Sequence, residues 1–326
     1  MSVTGHAMLP LDSAPKRPLD HITAVQIPSP SGHRDPRLLA LAAAILAPLT
    51  WSVGGVVMRS VESAGPWDQA GWRSFGGALA LLVLLALRGG APAIRDMRAA
   101  GWAGVASMAC VGGTFVIHVL AMNATSVANV LFLQTASPLL MPLLAWAVLR
   151  ERPHRLTLVA VALAIAGLFP IVAASVGGGR LAGDMLALLT ATCGAINVLI
   201  VRRLKALDLV PLAALAAALA AAISFAVGAP LDVSAVDIAA LVLLGAFQIA
   251  VGLSLFFFAL RHLPAAPVAL LTLLEPVAGP LLVWAVVGEV PPEATLLGGS
   301  IILGALILSI IATTIGRSTS TARATT

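Results

Sequence analysis

The chain of 326 residues contains no Tyr, two Cys, and Lys only at positions 16 and 205; charged residues of every kind amount to 10%. A soluble globular domain carries about 25% charge. This chain therefore has too little to cover a water-facing surface of its length. With 60% hydrophobic residues and a mean hydropathy of +1.02, lipid is the solvent it is built for. The scarcity of Lys excludes a self-contained ATPase, because neither Lys16 nor Lys205 stands in a glycine loop able to cradle phosphates. No H-E-x-x-H, no G-x-S-x-G and no acidic pair suited to an aspartyl site is present, which argues against an intramembrane enzyme and predicts no catalytic residues. Cys110 and Cys193 lie far apart in apolar runs without ligand spacing. They read as free core thiols, and neither a disulfide, a metal nor a cofactor is expected. The sequence pI near 10.5 raises nucleic acid as a partner. The basic residues, however, are scattered at the ends of apolar runs, as in membrane proteins that set their orientation with them, so no nucleic-acid partner is expected.

Residues 1–36 carry Pro at 10, 15, 18, 28, 30 and 36 and lack the uninterrupted apolar stretch of a signal peptide. That composition predicts a disordered cytosolic tail. From Leu38 onward, apolar runs of about 20 residues, enough to cross a hydrocarbon core, alternate with short polar joints. They are 38–59, 66–87, 99–120, 125–148, 155–174, 183–203, 209–228, 238–260, 265–287 and 293–312. Residues 313–326 form a second tail. The Ala-rich seventh run reads as the least lipophilic and is expected to lean on its neighbours. With the amino terminus inside, 16 of the 19 basic residues fall on the inner side, only Arg59 and Arg180 on the outer side, and Arg73 within the second span. Both termini are therefore expected in the cytosol, with the protein multi-pass in the inner (plasma) membrane of a bacterial cell. Trp67, Trp72, Trp102, Trp146 and Trp284 fall near span ends, as an interfacial belt requires; Trp51 lies deep in the first span.

An internal repeat is visible directly. Pro138, Pro142, Trp146, Glu151 and Pro153 recur as Pro276, Pro280, Trp284, Glu289 and Pro291, every pair offset by 138 residues, and Ala121 and Ala128 find Ala259 and Ala266 at the same offset. The unit holds five spans, residues 37–174 and then 183–312. Five is odd, so the copies cross the membrane in opposite senses, a recurring transporter plan. The paired P-x3-P-x3-W-x4-E pattern, the ten spans and the Glu before Pro in the ninth span resemble the EamA-type transporters of the drug/metabolite superfamily, over roughly residues 38–312. The resemblance implies an all-α membrane protein, ten transmembrane helices as two inverted five-helix repeats around a central cavity, with spans five and ten peripheral. It also implies transport of a small molecule, with efflux as the family's usual direction. Arg73 and Asn197 match positions where such proteins often carry these residue types, whereas the seventh span has no Arg to match Arg73.

Mid-span proline removes a donor and pushes away the carbonyl four residues earlier. Pro138 and Pro276 thereby free the carbonyls of Gln134 and Thr272, and Gln134 with Ser137, like Thr272 with Glu275, shares one helical face. Facing lipid, each such polar group would cost several kcal/mol; facing inward, broken helices commonly build transporter sites at mid-depth. Kinks kept only for packing are the competing reading. Glu275 is the acidic residue at the middle of a span, suited to bind a substrate ammonium or to exchange a proton; a protonated carboxyl bonded to a neighbouring helix is its plainer alternative. Its repeat partner is Ser137. Gln248 reads as a cavity-lining residue or an interhelical bond, Trp51 as a cavity wall or core filler, and His118 more readily as a satisfied core histidine than as a ligand. Arg73, two turns in, either guards an outer gate or pairs with Asp68 or Glu62. Capping or pairing with arginines accounts for Glu151 and Glu289. Gly112–Gly113 and Ser300-x3-Gly304 would permit close helix contact, compatible with a homodimer. The function expected is a secondary-active exporter of a small metabolite, such as an amino acid or related compound, by alternating access. The alternatives are a multidrug efflux carrier of amphipathic compounds, an intramembrane enzyme, and a channel, for which no ring-forming selectivity sequence is visible.

Overall fold

The computed structural model describes residues 36–324 apart from 89–90, 151–152, 154, 203, 205–207 and 229–232. Thirteen α-helices and one π-helical turn follow in chain order: α1 (Pro36–Ser60), α2 (Pro66–Leu87), α3 (Ala91–Ala124), α4 (Val127–Gln134), α5 (Ser137–Leu149), α6 (Arg155–Gly177), α7 (Leu181–Val201), α8 (Val210–Val227), α9 (Ala235–Gly245), the π turn Ala246–Gly252, α10 (Leu253–His262), α11 (Ala265–Leu271), α12 (Leu274–Val287) and α13 (Glu293–Ala324). They make ten stretches long and apolar enough to cross a membrane. The third runs to Ala124, four residues past the sequence expectation, because the joint comes only at Thr125–Ser126, where the Ser126 side chain caps the Asn129 N–H and starts α4. The fourth span comprises α4 and α5, the eighth α9, the π turn and α10, and the ninth α11 and α12. Near the start of α3, Gly101 (φ 51°, ψ −140°) breaks the helix.

The packing has the symmetry that the repeat predicts. The second span packs on the seventh (α2 on α8), the fourth on the ninth (α4 on α12) and the fifth on the tenth (α6 on α13), each against its own counterpart. Apart from the second span on the third (α2 on α3), which has no such mirror, the remaining major contacts exchange with one another. Third on sixth (α3 on α7) mirrors eighth on first (α10 and the π turn on α1). First on ninth (α1 on α12) mirrors sixth on fourth (α7 on α4 and α5), and second on eighth mirrors seventh on third. Local detail repeats as well: α5 and α12 both end on a left-handed residue, Arg150 (φ 56°) and Gly288 (φ 79°), again 138 apart. Two inverted five-span repeats are therefore present in space.

Apolar side chains point both ways. Phe169, Val236, Leu243 and Leu297 are more than 60% exposed and face lipid, while buried alanines on α1 (Ala40, Ala43, Ala44, Ala47) and α8 (Ala213, Ala214, Ala217, Ala220) let helices approach closely. The seventh span is not the least lipophilic, contrary to the expectation from its alanines, since only the fifth is more apolar; yet 56% of it is buried, so it does lean on its neighbours. The fifth and tenth spans cross at facing glycines: a Cβ on Gly167 would meet the Gly298 carbonyl at 2.6 Å. Gly112 similarly meets the Ala216 backbone, but Gly304 has nothing within 4 Å and makes no close contact. The Trp belt is also smaller than expected. Trp102, Trp146 and Trp284 are exposed, whereas Trp72 meets Phe75 and Phe225 edge to face and Trp67 packs against the core. Both begin at a helix end that other helices cover.

Candidate functional site

Both repeats break at the same point. Thr135 and Ala136 in the fourth span, and Thr272 and Leu273 in the ninth, hold nearly the same backbone angles (φ −63° to −66°, ψ −8° to −21°). Tight i→i−3 bonds replace regular ones there: Thr135 N–H donates to Phe132 O, Ala136 to Leu133, Leu273 to Leu270, and Glu275 to Thr272. The Thr272 carbonyl, expected to be freed by Pro276, thus already accepts one bond. The two breaks face each other across a crevice of about 200 Å³ lined by Gln134, Thr135, Pro138, Thr272, Glu275 and Pro276.

A second cavity of about 170 Å³ shares Gln134 and Glu275 with the first and extends to Trp51, Arg73, His118, Gln248 and Thr190, with Phe115, Ile249 and Leu253 as apolar wall. Gln248 is its hub. The side chain accepts from Arg73 Nε (2.9 Å) and donates to the Trp51 carbonyl (2.7 Å), while Trp51 Nε1 donates back to the Gln248 carbonyl (3.1 Å). Gln248 lies in the π turn, whose widened i→i+5 pattern is common at functional positions. Arg73 is 7% exposed, and its Nη1 has no hydrogen-bond partner. Its partner is therefore Gln248 and not Asp68 or Glu62, because it projects inward, away from the end of α2 where those acids stand. Gln134 Nε2 lies 2.7 Å from His118 Nδ1.

Sequence reasoning thus named most of the lining: Glu275, Gln134, Thr272, Gln248, Trp51, His118, Arg73, Pro138 and Pro276 line one or both cavities. Two residues fall elsewhere. Asn197 accepts from Ser107 Oγ (2.7 Å) between α7 and α3, and Ser137 sits against Gly194 of α7. Thr114 and Thr190 were missed. Each hydroxyl bonds a carbonyl of its own helix, so a lone Thr in an apolar run leaves no pattern to read. Also unread was a buried polar network at the end of the bundle away from the termini. There Asp184, with no exposed surface, accepts from Thr125 Oγ1 (2.8 Å) and Asn129 Nδ2 (3.0 Å). Asn129 also donates to Ser175, and Thr295 donates to the Asn129 side-chain oxygen. Nearby, Glu289 pairs with Arg59 (2.7 Å) and accepts from the Val127 N–H at the start of α4 (2.8 Å), so it does both the pairing and the capping expected of it. Glu151 lies outside the described residues.

Ten spans in two inverted repeats, enclosing a polar cavity where two helices break, are the architecture of a membrane transporter. The family model of the EamA-like transporter family matches residues 38–173 and again 181–311. The chain belongs to that family and is a multi-pass membrane transporter of small molecules. Among solved structures, one described as a crystal structure of a protein is similar at a TM-score of 0.59 and 19% identity, covering 84% of this chain and 97% of that one. At that identity the likeness is one of fold. A comparison with curated proteins returns no match.

Proposed function

We propose that the protein is a secondary-active carrier that exports a small metabolite, such as an amino acid or related compound, from a bacterial cell by alternating access. Glu275 serves as the coupling or anchoring group, and both termini face the cytosol. The observation that carries this reading is Glu275 at the junction of two cavities, beside the helix break that both repeats share. Inverted repeats give two packings of similar energy, one open to each side, and a site at their interface is reached from either. The cavities, of about 200 and 170 Å³ and sharing Gln134 and Glu275, suit a small ligand. Arg73 and Glu275 give the cavity one side chain of each charge type, and His118 borders it as well.

The test is transport in proteoliposomes by wild type and Glu275→Gln, each loaded with a cellular metabolite extract and assayed for counterflow over a range of pH. Glu275→Gln keeps size and hydrogen bonding and removes the titration. Strongly reduced counterflow, or loss of its pH dependence in a protein that still inserts, supports the role. Wild-type rates with an unchanged pH profile leave Glu275 as a packing residue. Steady conductance in place of saturable counterflow would mean a channel.

A further inference from the structure

We propose that α4 is the gate at the end of the bundle away from the termini, latched by the ion pair of Arg59 and Glu289, and that cargo passes between α4 and α12 into a cleft beyond them. The inference rests on the transporter reading above and adds a route to it.

The latch grows out of ordinary helix chemistry. The first N–H groups of a helix have no partner within it. At the start of α4 the Ser126 side chain takes the Asn129 N–H, and the Glu289 carboxylate takes that of Val127 (2.8 Å). Gly288, left-handed (φ 79°), ends α12 and turns the chain just before Glu289. The second Glu289 oxygen holds Arg59 Nε (2.7 Å), and Arg59 Nη2 donates to the Thr125 carbonyl (2.8 Å). The pair thus offers one acceptor and one donor to the backbone on either side of Ser126. Arg59 belongs to α1 and Glu289 follows α12, two helices that pack on each other. α4 belongs to a different group, since Asn129 ties it to Ser175 of α6, Asp184 of α7 and Thr295 of α13. The latch is the polar seam between the two groups.

The same seam divides two cavities. The central crevice of about 200 Å³ is bordered by Leu131 and Gln134 of α4. At the far end lies a cleft of about 300 Å³ lined by Arg59, Asn123, Ser126, Arg180 and Glu289. α4 has eight residues, about 12 Å of helix, and one end borders each cavity. Between them stands an apolar plug of Val127 and Leu131 from α4 and Val283 from α12, each 5% exposed or less. Two glycines seat it. A Cβ on Gly279 would lie 2.3 Å from Leu131 Cδ1, and one on Gly55 would lie 2.7 Å from Val127 Cγ1 and 2.9 Å from Val283 Cγ2. Such contacts can part without stranding a polar group, whereas the latch must exchange its bonds for water.

The latch is placed where that exchange is easy. Its two side chains are about a quarter exposed, and ion pairs open to solvent are weak. Asp184, with no exposed surface, keeps α4 with its own group. A carrier whose two packings have similar energies needs only a weak bias to favour one of them.

Two measurements test the gate, on a background in which Cys110→Ser and Cys193→Ser remove the native thiols. In the first, Thr135→Cys places a thiol in the central crevice, and a membrane-impermeant maleimide is added to membrane vesicles from either face. Arg59→Ala and Glu289→Ala should each speed labelling from the face away from the termini about fivefold, the scale of one lost hydrogen bond. The double variant should be little faster than either. Glu289→Gln, which keeps an acceptor for the Val127 N–H, should give a smaller rise, and it carries the measurement if Glu289→Ala does not fold. Equal acceleration from both faces would mean general loosening, and unchanged labelling would mean a pair that only packs; either overturns the proposal. In the second, Ala124→Cys and Val290→Cys, which line the cleft from the two sides of the seam, are bridged by a reducible bis-thiosulfonate. Bridging should stop counterflow of a metabolite extract in proteoliposomes, and reduction should restore it. Full counterflow by bridged protein overturns the gate and leaves the transporter reading standing. No counterflow by the wild-type chain overturns the reading beneath it, and the labelling rates still decide the gate.

Discussion

Adding one methyl group at Gly245 should disable the cavity from outside it. Gly245 closes α9 three residues before Gln248, and a Cβ there would lie 1.8 Å from the Arg73 carbonyl oxygen and 2.9 Å from the Gly77 nitrogen. One turn earlier on α9, the Val242 carbonyl lies 2.1 Å from where a Cβ on Gly76 would stand. The second and eighth spans thus cross backbone to backbone, and that crossing puts Arg73 next to Gln248. Backbone cannot swing aside as a side chain does. Relieving a 1.8 Å contact to even 3.0 Å means separating the helices locally by about 1.2 Å, an overpacking that costs about 1–3 kcal/mol. The same opening stretches the 2.9 Å Arg73–Gln248 bond past the 3.5 Å beyond which no hydrogen bond remains. A bond to a charged group is worth about 1.5–3 kcal/mol, or about tenfold and upward in affinity. Gly245→Ala should therefore melt at a lower temperature and lose about tenfold or more of its counterflow of a metabolite extract in proteoliposomes. Gly304→Ala is the control: with nothing within 4 Å, the added methyl clashes with nothing and gains up to about 1 kcal/mol of helix propensity. Gly245→Ala protein with wild-type melting and wild-type counterflow would refute the reasoning, since the crossing would then not be what holds the pair together.

Asn129→Leu should lower thermal stability by several kcal/mol, measured by melting, because it strips partners from the buried Asp184, Ser175 and Thr295, each costing about 1–3 kcal/mol when left unpaired. A double-mutant cycle on Arg59 and Glu289, a pair about a quarter exposed, should return a coupling of about 1 kcal/mol or less in melting experiments, and several kcal/mol would show the pair to be shielded from solvent. Reporter fusions after Arg98 and Arg203 should read as cytosolic and one after Gly178 as external, a reversed pattern contradicting the charge distribution on which the orientation rests. A chain beginning near Gly32 should insert and transport as the full chain does, and failed insertion would assign residues 1–36 a structural role.

The fold was legible because its signals are long. Ten apolar runs and a five-residue pattern repeated at 138 survive any uncertainty about a single position, and an odd number of spans per repeat dictates inversion. The site was legible where chemistry is expensive in lipid: Glu275, Gln134, Gln248 and Arg73 attract notice because a bilayer tolerates such groups only when they face inward. It was not legible where cost is hidden. The π turn around Gln248 follows from packing against α1 and α2, and nothing in AFQIAVG announces it. Asn197 misled because an interhelical bond to Ser107 removes its cost as well as a cavity would. Arg73 pointed to Asp68 and Glu62 by proximity in sequence, whereas its partner lies 175 residues away.

The repeat itself explains why fold and site separate in this way. Of the residues that recur at 138, Pro138 and Pro276 stand at the helix breaks, Trp146 and Trp284 face lipid and Glu289 closes a joint; they belong to the scaffold that both copies build. In the third, fourth, eighth and ninth spans, the polar side chains that line the cavity beside the shared Pro138 and Pro276 do not recur. Gln134 stands opposite Thr272, Ser137 opposite Glu275, Cys110 opposite Gln248, and His118 opposite Phe256, which stacks on Trp51. Symmetry is useful to the backbone, because it supplies two packings of comparable energy. It is useless to the recognition of an asymmetric cargo, which needs a different group at each end. A carrier of this plan therefore keeps the proline breaks in both copies and lets the side chains beside them diverge, so its specificity is to be sought where the two halves of the sequence disagree.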